Sequence, residues 1–100
     1  MIVELHDLAW DELDHARRYY FRHAGQTVVD RFTRAFKVAA EAIETRPESL
    51  APDRLGTRFS RLKKFPYKLV FQAIDESLIL VLAVAHLKRR PLYWRRRIRK

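Results

Sequence analysis

The chain has 100 residues, of which 48% are hydrophobic and 12% aromatic, and it contains no cysteine. This size and composition predict one globular domain spanning residues 1–100 and exclude a disulfide-stabilised scaffold or a thiolate zinc site. The longest apolar run, Leu78–Ala85, is far shorter than the roughly 20 residues that cross a bilayer, so no membrane association is expected. Because Glu4 and Asp7 interrupt the N-terminus, no signal peptide is expected and a cytoplasmic location is predicted.

The net charge of +9 is concentrated towards the C-terminus. Residues 1–50 contain seven Lys and Arg against nine Asp and Glu, whereas residues 51–100 contain 14 against three. The last fifteen residues hold eight cations and no acid. Such a block predicts an anionic partner, either nucleic acid or an acidic protein segment. A solvated tail is the alternative, but the interleaved Tyr93 and Trp94 are unusual in such tails.

The first half of the chain predicts a strand at residues 2–5 followed by two helices. Asp7 is a suitable N-cap for the first helix, which stops at Gly25. The second helix is predicted to start at Thr27, with Asp30 three residues later as an imperfect capping box. A connection of about two residues predicts a helical hairpin. The predicted buried stripes are Trp10, Leu13, Ala16, Tyr20 and Ala24 in the first helix and Phe32, Phe36, Ala39 and Ile43 in the second.

The second half predicts a loop at residues 47–56 and then three strands. The first covers residues 57–62, and the apolar runs Leu69–Ile74 and Leu78–Ala85 form the other two, with a turn at Asp75-Glu76. The order of elements predicts an α+β fold of two layers. In this fold the N-terminal strand and helical hairpin pack on one face of a small, mostly antiparallel, four-stranded sheet.

The last predicted strand is apolar on both faces. Its two alternating sets are Ile79, Val81, Ala83 and Ala85 on one face and Leu78, Leu80, Leu82 and Val84 on the other. Small Ala83 and Ala85 would let the helices approach closely, so we expect that set beneath the helices. The leucine set would then form an exposed apolar patch of the kind that binds a partner. Two alternatives are that the C-terminal segment covers this face or that the protein dimerises there.

One combination of features spans nearly the whole chain. It consists of the helical hairpin, Phe65-Pro66-Tyr67 before the β-hairpin, and the ending from His86 to Arg97, HLKRRPLYWRRR. This combination resembles the RelE/ParE family of bacterial toxins, with the ParE-like subgroup favoured. The resemblance implies the toxin of a type II toxin-antitoxin module for plasmid stabilisation. It also implies an acidic antitoxin that folds onto the toxin, which we place on the leucine set, and it is consistent with a heterotetramer.

The resemblance leaves two targets open. RelE-type members cut mRNA on the ribosome without metal, which requires proton-transfer groups and cations around the phosphate. The catalytic set would then be His86, Tyr93, Arg61 and Arg90. ParE-type members poison DNA gyrase and need no nuclease constellation. The aromatic residue that acts in the ribonucleases aligns with Trp94, which cannot exchange a proton, so gyrase is the favoured target.

Several basic residues and one aromatic residue are expected to contact the target or nucleic acid. They are Arg58, Lys63, Lys64, Lys88, Arg89, Trp94, Arg95 and Arg97. A basic nucleic-acid-binding module without toxicity is a third interpretation. His86 could instead be a structural hydrogen-bonding residue, and Trp94 could pack against the sheet. The other histidines lack ligand-like spacing with carboxylates, so neither a metal nor a cofactor is expected.

Overall fold

The computed structural model describes all 100 residues. The helices and strands are β1 (Ile2–Leu5), α1 (Asp7–Ala24), α2 (Gln26–Thr45), β2 (Ala51–Pro52), β3 (Arg58–Arg61), β4 (Tyr67–Ala73) and β5 (Leu78–His86). Three short 3-10 turns cover Pro47–Ser49, Arg54–Gly56 and Arg95–Arg97. The predicted α+β architecture is confirmed. The sheet has five strands rather than four, because β2 lies within the predicted loop and pairs with β3. Neither helix combines the length and hydropathy that crossing a membrane requires.

The five strands form one sheet in the order β1-β5-β4-β3-β2. β1 runs parallel to β5, and every other pair is antiparallel. β1 and β5 can be parallel because they are not joined by a tight turn. In the sequence, both helices come between β1 and the β3–β5 meander, and they cross one face of the sheet. β5 therefore has strand neighbours at both edges over its first half. Its side chains are buried on both faces of the sheet, which explains why it is apolar at every position from residue 78 to 85.

The helix junction is tighter than predicted, since Gly25 alone separates α1 from α2. Its φ of 86° and ψ of 177° belong to a region that residues with a Cβ rarely adopt. The Gly25 N–H donates to the carbonyl groups of Tyr20 and Phe21, both at 3.1 Å, and so ends α1.

The helix starts differ from the predicted caps. His6, rather than Asp7, is the N-cap of α1, and its Nδ1 accepts a hydrogen bond of 3.1 Å from the Leu8 N–H. α2 starts at Gln26, whose side-chain amide donates to Asp30 at 2.8 Å. No capping box forms, because Asp30 bonds this side chain rather than the backbone at the helix start.

The first core lies between the helices and the sheet. The predicted α2 stripe is confirmed for three residues, since Phe32, Ala39 and Ile43 are buried, while Phe36 packs half-buried at the edge. The predicted α1 stripe is wrong at Trp10, which is 54% exposed, and at Ala24, which is exposed at the end of the helix. Ala9 takes the place facing the sheet, so the α1 contacts with the core come from Ala9, Leu13, Ala16 and Tyr20.

A β-bulge in β5 changes which residues face the helices. The pairing of β5 with β4 shifts by one residue at Leu82, which has no partner residue. The helix-side core takes Ile79, Val81 and Val84, and the opposite face takes Leu80, Leu82, Ala83 and Ala85. The predicted faces are therefore wrong for Val84, Ala83 and Ala85, because strict alternation does not continue through a bulge.

The C-terminal tail, residues 87–100, covers the second face of the sheet. Trp94 is only 3% exposed and packs in one cluster with Leu80 and Leu82, which are 8% and 0% exposed. The Gln72 side chain fixes the end of the tail through hydrogen bonds with the N–H and the carbonyl of Arg99, at 3.0 and 2.6 Å. The expected exposed apolar patch is therefore absent, and the alternative in which the C-terminal segment folds back is the observed one.

We expect Phe32→Ala to lower the free energy of unfolding by about 3–5 kcal/mol, because it leaves a cavity in the helix-side core. Phe32 is fully buried, with its ring 5.2 Å from Tyr20, 5.3 Å from Phe65 and 5.5 Å from Tyr67, centroid to centroid. Val38→Ala is the matched control, since Val38 is 62% exposed on the same helix. Urea unfolding that gives equal losses for the two variants would contradict this packing.

Candidate functional site

The Glu12 carboxylate joins three parts of the chain. Glu12 lies on the sheet-facing side of α1, three residues after buried Ala9. Its Oε1 accepts hydrogen bonds from the Val84 N–H at 3.0 Å and from Arg97 Nη1 at 2.9 Å. Its Oε2 accepts from the Tyr93 hydroxyl at 2.7 Å and from Arg97 Nη2 at 3.1 Å. We call Glu12, Val84, Tyr93 and Arg97 the Glu12 cluster; it connects α1, β5 and the tail.

The Glu12 cluster forms where β5 loses a neighbouring strand. β1 ends opposite Val81, so the outer edge of β5 has no strand partner after that residue. Buried backbone groups need hydrogen-bond partners, and side chains supply them here. Glu12 accepts from the Val84 N–H, and Arg97 Nη1 donates to the Leu82 carbonyl at 3.0 Å. The tail is therefore hydrogen-bonded to the backbone of β5 and is an integral part of the fold.

The Tyr93 side chain is fixed by contacts to both its hydroxyl and its ring. Burial, together with the hydrogen bond to Glu12 and the nearby carboxylate charge, raises the pKa of the Tyr93 hydroxyl well above its ordinary value. The guanidinium carbon of Arg89 lies 3.9 Å from the ring centroid, and that of Arg97 lies 5.2 Å away. A hydroxyl with these partners is a weak acid and a good structural donor.

His86 ends β5 and is half-exposed. Its Nδ1 accepts a hydrogen bond of 3.1 Å from the Lys88 N–H, and its ring meets the Tyr67 ring edge-on at 5.0 Å. His86, Tyr93 and Arg90 line one cleft of ≈ 200 Å³, so the structure brings these three predicted catalytic residues together. Arg61, the fourth, does not line that cleft.

The predicted basic contacts divide into two exposed surfaces. The first, which we call the tail surface, consists of the predicted Lys88, Arg89, Arg90 and Arg95 together with Arg96, which was not among the predicted contacts. The second lies between α2 and the β3–β4 turn and includes Arg61, Lys63 and Lys64. Arg58 belongs to neither, because its half-buried guanidinium donates to the Leu50 carbonyl at 2.7 Å.

Three groups of residues that were predicted to bind a partner are less accessible in the structure than expected. Trp94 is buried on the sheet, so a target has no direct access to its ring. The Arg97 side chain is 12% exposed and is occupied by Glu12. Among the residues predicted to bind the antitoxin, Leu80 and Leu82 lie under the tail, Val84 lies under the helices, and only Leu78 is half-exposed. The tail occupies the face that was expected to be open and so buries Trp94, Leu80 and Leu82, whereas the bulge at Leu82 turns Val84 towards the helices.

Sequence reasoning missed Glu12 and two α2 arginines. Positions 9, 12, 13 and 16 form one helical stripe, and an acid on a buried stripe indicates a paired carboxylate. A stripe that runs through Trp10 instead of Ala9 does not include position 12 and so obscures this signal. Arg31 and Arg34, on the second basic surface, carry no comparable signal, since charged residues on a helix usually face solvent.

Comparison with known proteins identifies the family. A family model described as the ParE toxin of the type II toxin-antitoxin system parDE matches residues 3–91. The chain belongs to the ParE toxin family. Its fold is similar to a solved structure described as the chromosomal ParDE toxin-antitoxin system from P. aeruginosa, with a TM-score of 0.75 and 15% identity over 88% of this chain and 97% of that chain. None of the curated proteins matches the chain.

The predicted resemblance to RelE/ParE toxins, with the ParE-like subgroup favoured, is confirmed. A toxin of a type II system has a cognate antitoxin, so the family also supplies the class of partner. The matched range ends at residue 91, before Tyr93, Trp94 and Arg97. The tail half of the Glu12 cluster therefore lies beyond the part of the chain that the family model matches.

Removing the Glu12 carboxylate should lower the free energy of unfolding by about 3–5 kcal/mol, because Glu12→Ala leaves the Arg97 guanidinium unpaired. The two side chains of this pair are only 16% and 12% exposed. Asp11→Ala is the matched control, since Asp11 is the exposed neighbour on the same helical turn. Losses within about 0.5 kcal/mol of each other in urea unfolding would show that the cluster does not stabilise the fold.

The raised pKa of Tyr93 should make the protein less stable in alkali. The protonated hydroxyl stabilises the fold fully below its ordinary pKa of 10.0, and this contribution is lost as the pH rises towards the higher pKa of the folded state. The free energy of unfolding should therefore fall more steeply above pH 10 in the wild type than in Tyr93→Phe. The other tyrosines and the lysines are shared by both proteins, so parallel slopes would show that folding does not raise the pKa of Tyr93.

Proposed function

We propose that this ParE toxin arrests growth by binding DNA gyrase through the tail surface, without catalysing a reaction. The observation that carries the proposal is the position of the Tyr93 hydroxyl. Tyr93 is the tail residue suited to proton transfer, and its hydroxyl donates to Glu12 at 2.7 Å. A cationic surface without a free acid–base pair is suited to binding rather than to cleavage.

The charge of the tail surface supports this proposal. All five of its cations are exposed, and none forms an ion pair, since the two ion pairs of the molecule involve Lys68 and Arg97. Gyrase acts on DNA, so a cationic surface can approach both the DNA phosphates and acidic protein near them. Because the tail is bonded to β5, its backbone is already ordered and loses little conformational entropy on binding.

We further propose that the antitoxin is acidic, that the two proteins meet in the cytoplasm and that they assemble as a heterotetramer. The net charge of +9 favours an acidic partner. The family assignment favours a toxin over a non-toxic nucleic-acid-binding module.

A ribosome-dependent mRNA endonuclease is the second candidate. The cleft of ≈ 200 Å³ supports it, because His86, Tyr93 and Arg90 line the same space. In that mechanism His86 would take the proton of the attacking 2′-hydroxyl while Arg90 stabilises the phosphate charge. The proton for the leaving oxygen would have to come from Tyr93, which would first break its bond to Glu12.

Tyr93→Phe should distinguish the two mechanisms, because it keeps the ring and deletes the exchangeable proton. A general acid contributes about 100- to 10,000-fold, so a ribonuclease that uses Tyr93 would lose most of its toxicity. We expect the variant to remain toxic on induction and to inhibit DNA supercoiling by purified gyrase as the wild type does. Transcripts from the same cells are mapped for cuts. Ribosome-dependent cuts inside codons that disappear in Tyr93→Phe would contradict the gyrase proposal.

A further inference from the structure

A third basic surface lies between the C-terminal half of α1 and the start of α2. It is a groove of ≈ 440 Å³, which we call the α1 groove. Its cations are Arg17, Arg18 and Arg22, all of them exposed, and its one acid is Asp14. None of the three arginines forms an ion pair or donates a side-chain hydrogen bond, so their guanidinium groups are free to bind a ligand.

The helical spacing brings two of these cations close together. Arg18 and Arg22 are four residues apart, so they are neighbours on one face of α1, about 6 Å apart along the axis. Like charges at this spacing destabilise a helix. Asp14 precedes Arg18 by four residues but forms no ion pair with it, so no salt bridge offsets the repulsion. An anionic ligand would offset it, which favours binding of such a ligand here.

The apolar part of the α1 groove is one exposed ring. Phe21 follows Arg17 by four residues and Arg18 by three, and its side chain is 57% exposed. Its ring contacts no other aromatic ring, and no cation lies over it. Val29, the other hydrophobic residue of the lining, is only 6% exposed. The groove therefore presents one flat π surface with guanidinium groups beside it.

A flat ring beside arginines fits single-stranded nucleic acid. In single-strand binding, unpaired bases stack on aromatic side chains while cations contact the backbone phosphates. Two other anionic partners require apolar surfaces that the α1 groove lacks. An acidic amphipathic helix needs an apolar stripe several residues long, and a membrane surface needs a broad apolar face.

We propose that the α1 groove is a binding site for single-stranded nucleic acid. One base stacks on Phe21, and the guanidinium groups of Arg18 and Arg22 contact neighbouring phosphates. The groove shares no residue with the tail surface, so the site goes beyond the proposed binding of gyrase and does not depend on it. Bases and phosphates are common to DNA and RNA, and the measurements below compare the two.

The first test measures the affinity of the full-length protein for labelled oligodeoxythymidine and oligouridine of about 12 nucleotides, by fluorescence anisotropy. Phe21→Leu should weaken binding at least about fivefold, because it removes the stacking ring and keeps an apolar side chain. Tyr19→Leu is the matched control. Tyr19 is 48% exposed on the same helix, but its ring already packs against Tyr20 and His23, with centroids 5.6 and 4.4 Å away. Equal losses in the two variants, or no loss in Phe21→Leu, would overturn the site.

The salt dependence of binding tests the phosphate contacts separately. For a single strand, the logarithm of the affinity changes with the logarithm of the salt concentration by about −0.7 per phosphate contact. Arg18→Gln combined with Arg22→Gln should make this slope shallower by about 1.4, whereas Phe21→Leu should leave it unchanged. Lys37→Gln combined with Arg46→Gln is the control, since both are exposed cations of α2 outside this groove. Equal changes of slope in the two double variants would show attraction to the net charge alone and would overturn the proposal.

Other occupants are tested with a DNA duplex, a polyglutamate peptide and anionic phospholipid vesicles. Each carries negative charge without unpaired bases, so Phe21→Leu should leave its binding unchanged. A loss for any of the three as large as that for the oligonucleotides would contradict single-strand binding.

Photocross-linking locates the bound strand. An oligonucleotide that contains 5-iodouracil should attach to Phe21 in the wild type, as mapped by mass spectrometry of the digested protein. Attachment to tail residues alone would place the strand on the tail surface and overturn the site. The substituted side chains are exposed, so melting temperatures should stay close to that of the wild type, which separates lost binding from lost folding.

Discussion

The Glu12 carboxylate is the interaction on which the arrangement of this toxin depends. A carboxylate removed from water is costly unless charged and polar partners satisfy it. Here it accepts from the Tyr93 hydroxyl, two nitrogens of Arg97 and the Val84 N–H. These partners come from β5 and the tail, so one side chain of α1 fixes the position of both. Without it, the edge of β5 and the tail would lack their common anchor.

This anchor has functional consequences on both faces of the sheet. The tail covers Leu80 and Leu82 of β5, so on this face the molecule presents cations on the outside and keeps these leucines inside. Tyr93 serves as a donor to Glu12, which argues for binding rather than proton transfer. The exposed cations form separate basic surfaces, which include the tail surface and the surface between α2 and the β3–β4 turn.

The predictable parts of the fold are those determined by local patterns. Phe32, Ala39 and Ile43 follow the helical period, and the predicted stripe is correct for them. The bulge at Leu82 was not predictable, because a strand that is apolar at every position carries no alternation to interrupt. The pairing of Glu12 with Arg97 was not predictable either, since 85 residues separate them and only the folded chain brings them together.

Amide hydrogen exchange, followed by NMR, tests most directly whether Glu12 holds the tail in place. In the wild type, the Val84 amide and the tail amide of Arg97, which donates to the Trp94 carbonyl at 2.9 Å, should be protected. In Glu12→Ala both should exchange much faster, while amides inside α2 keep their protection. Rapid exchange of the tail in the wild type, or unchanged protection in Glu12→Ala, would contradict the account.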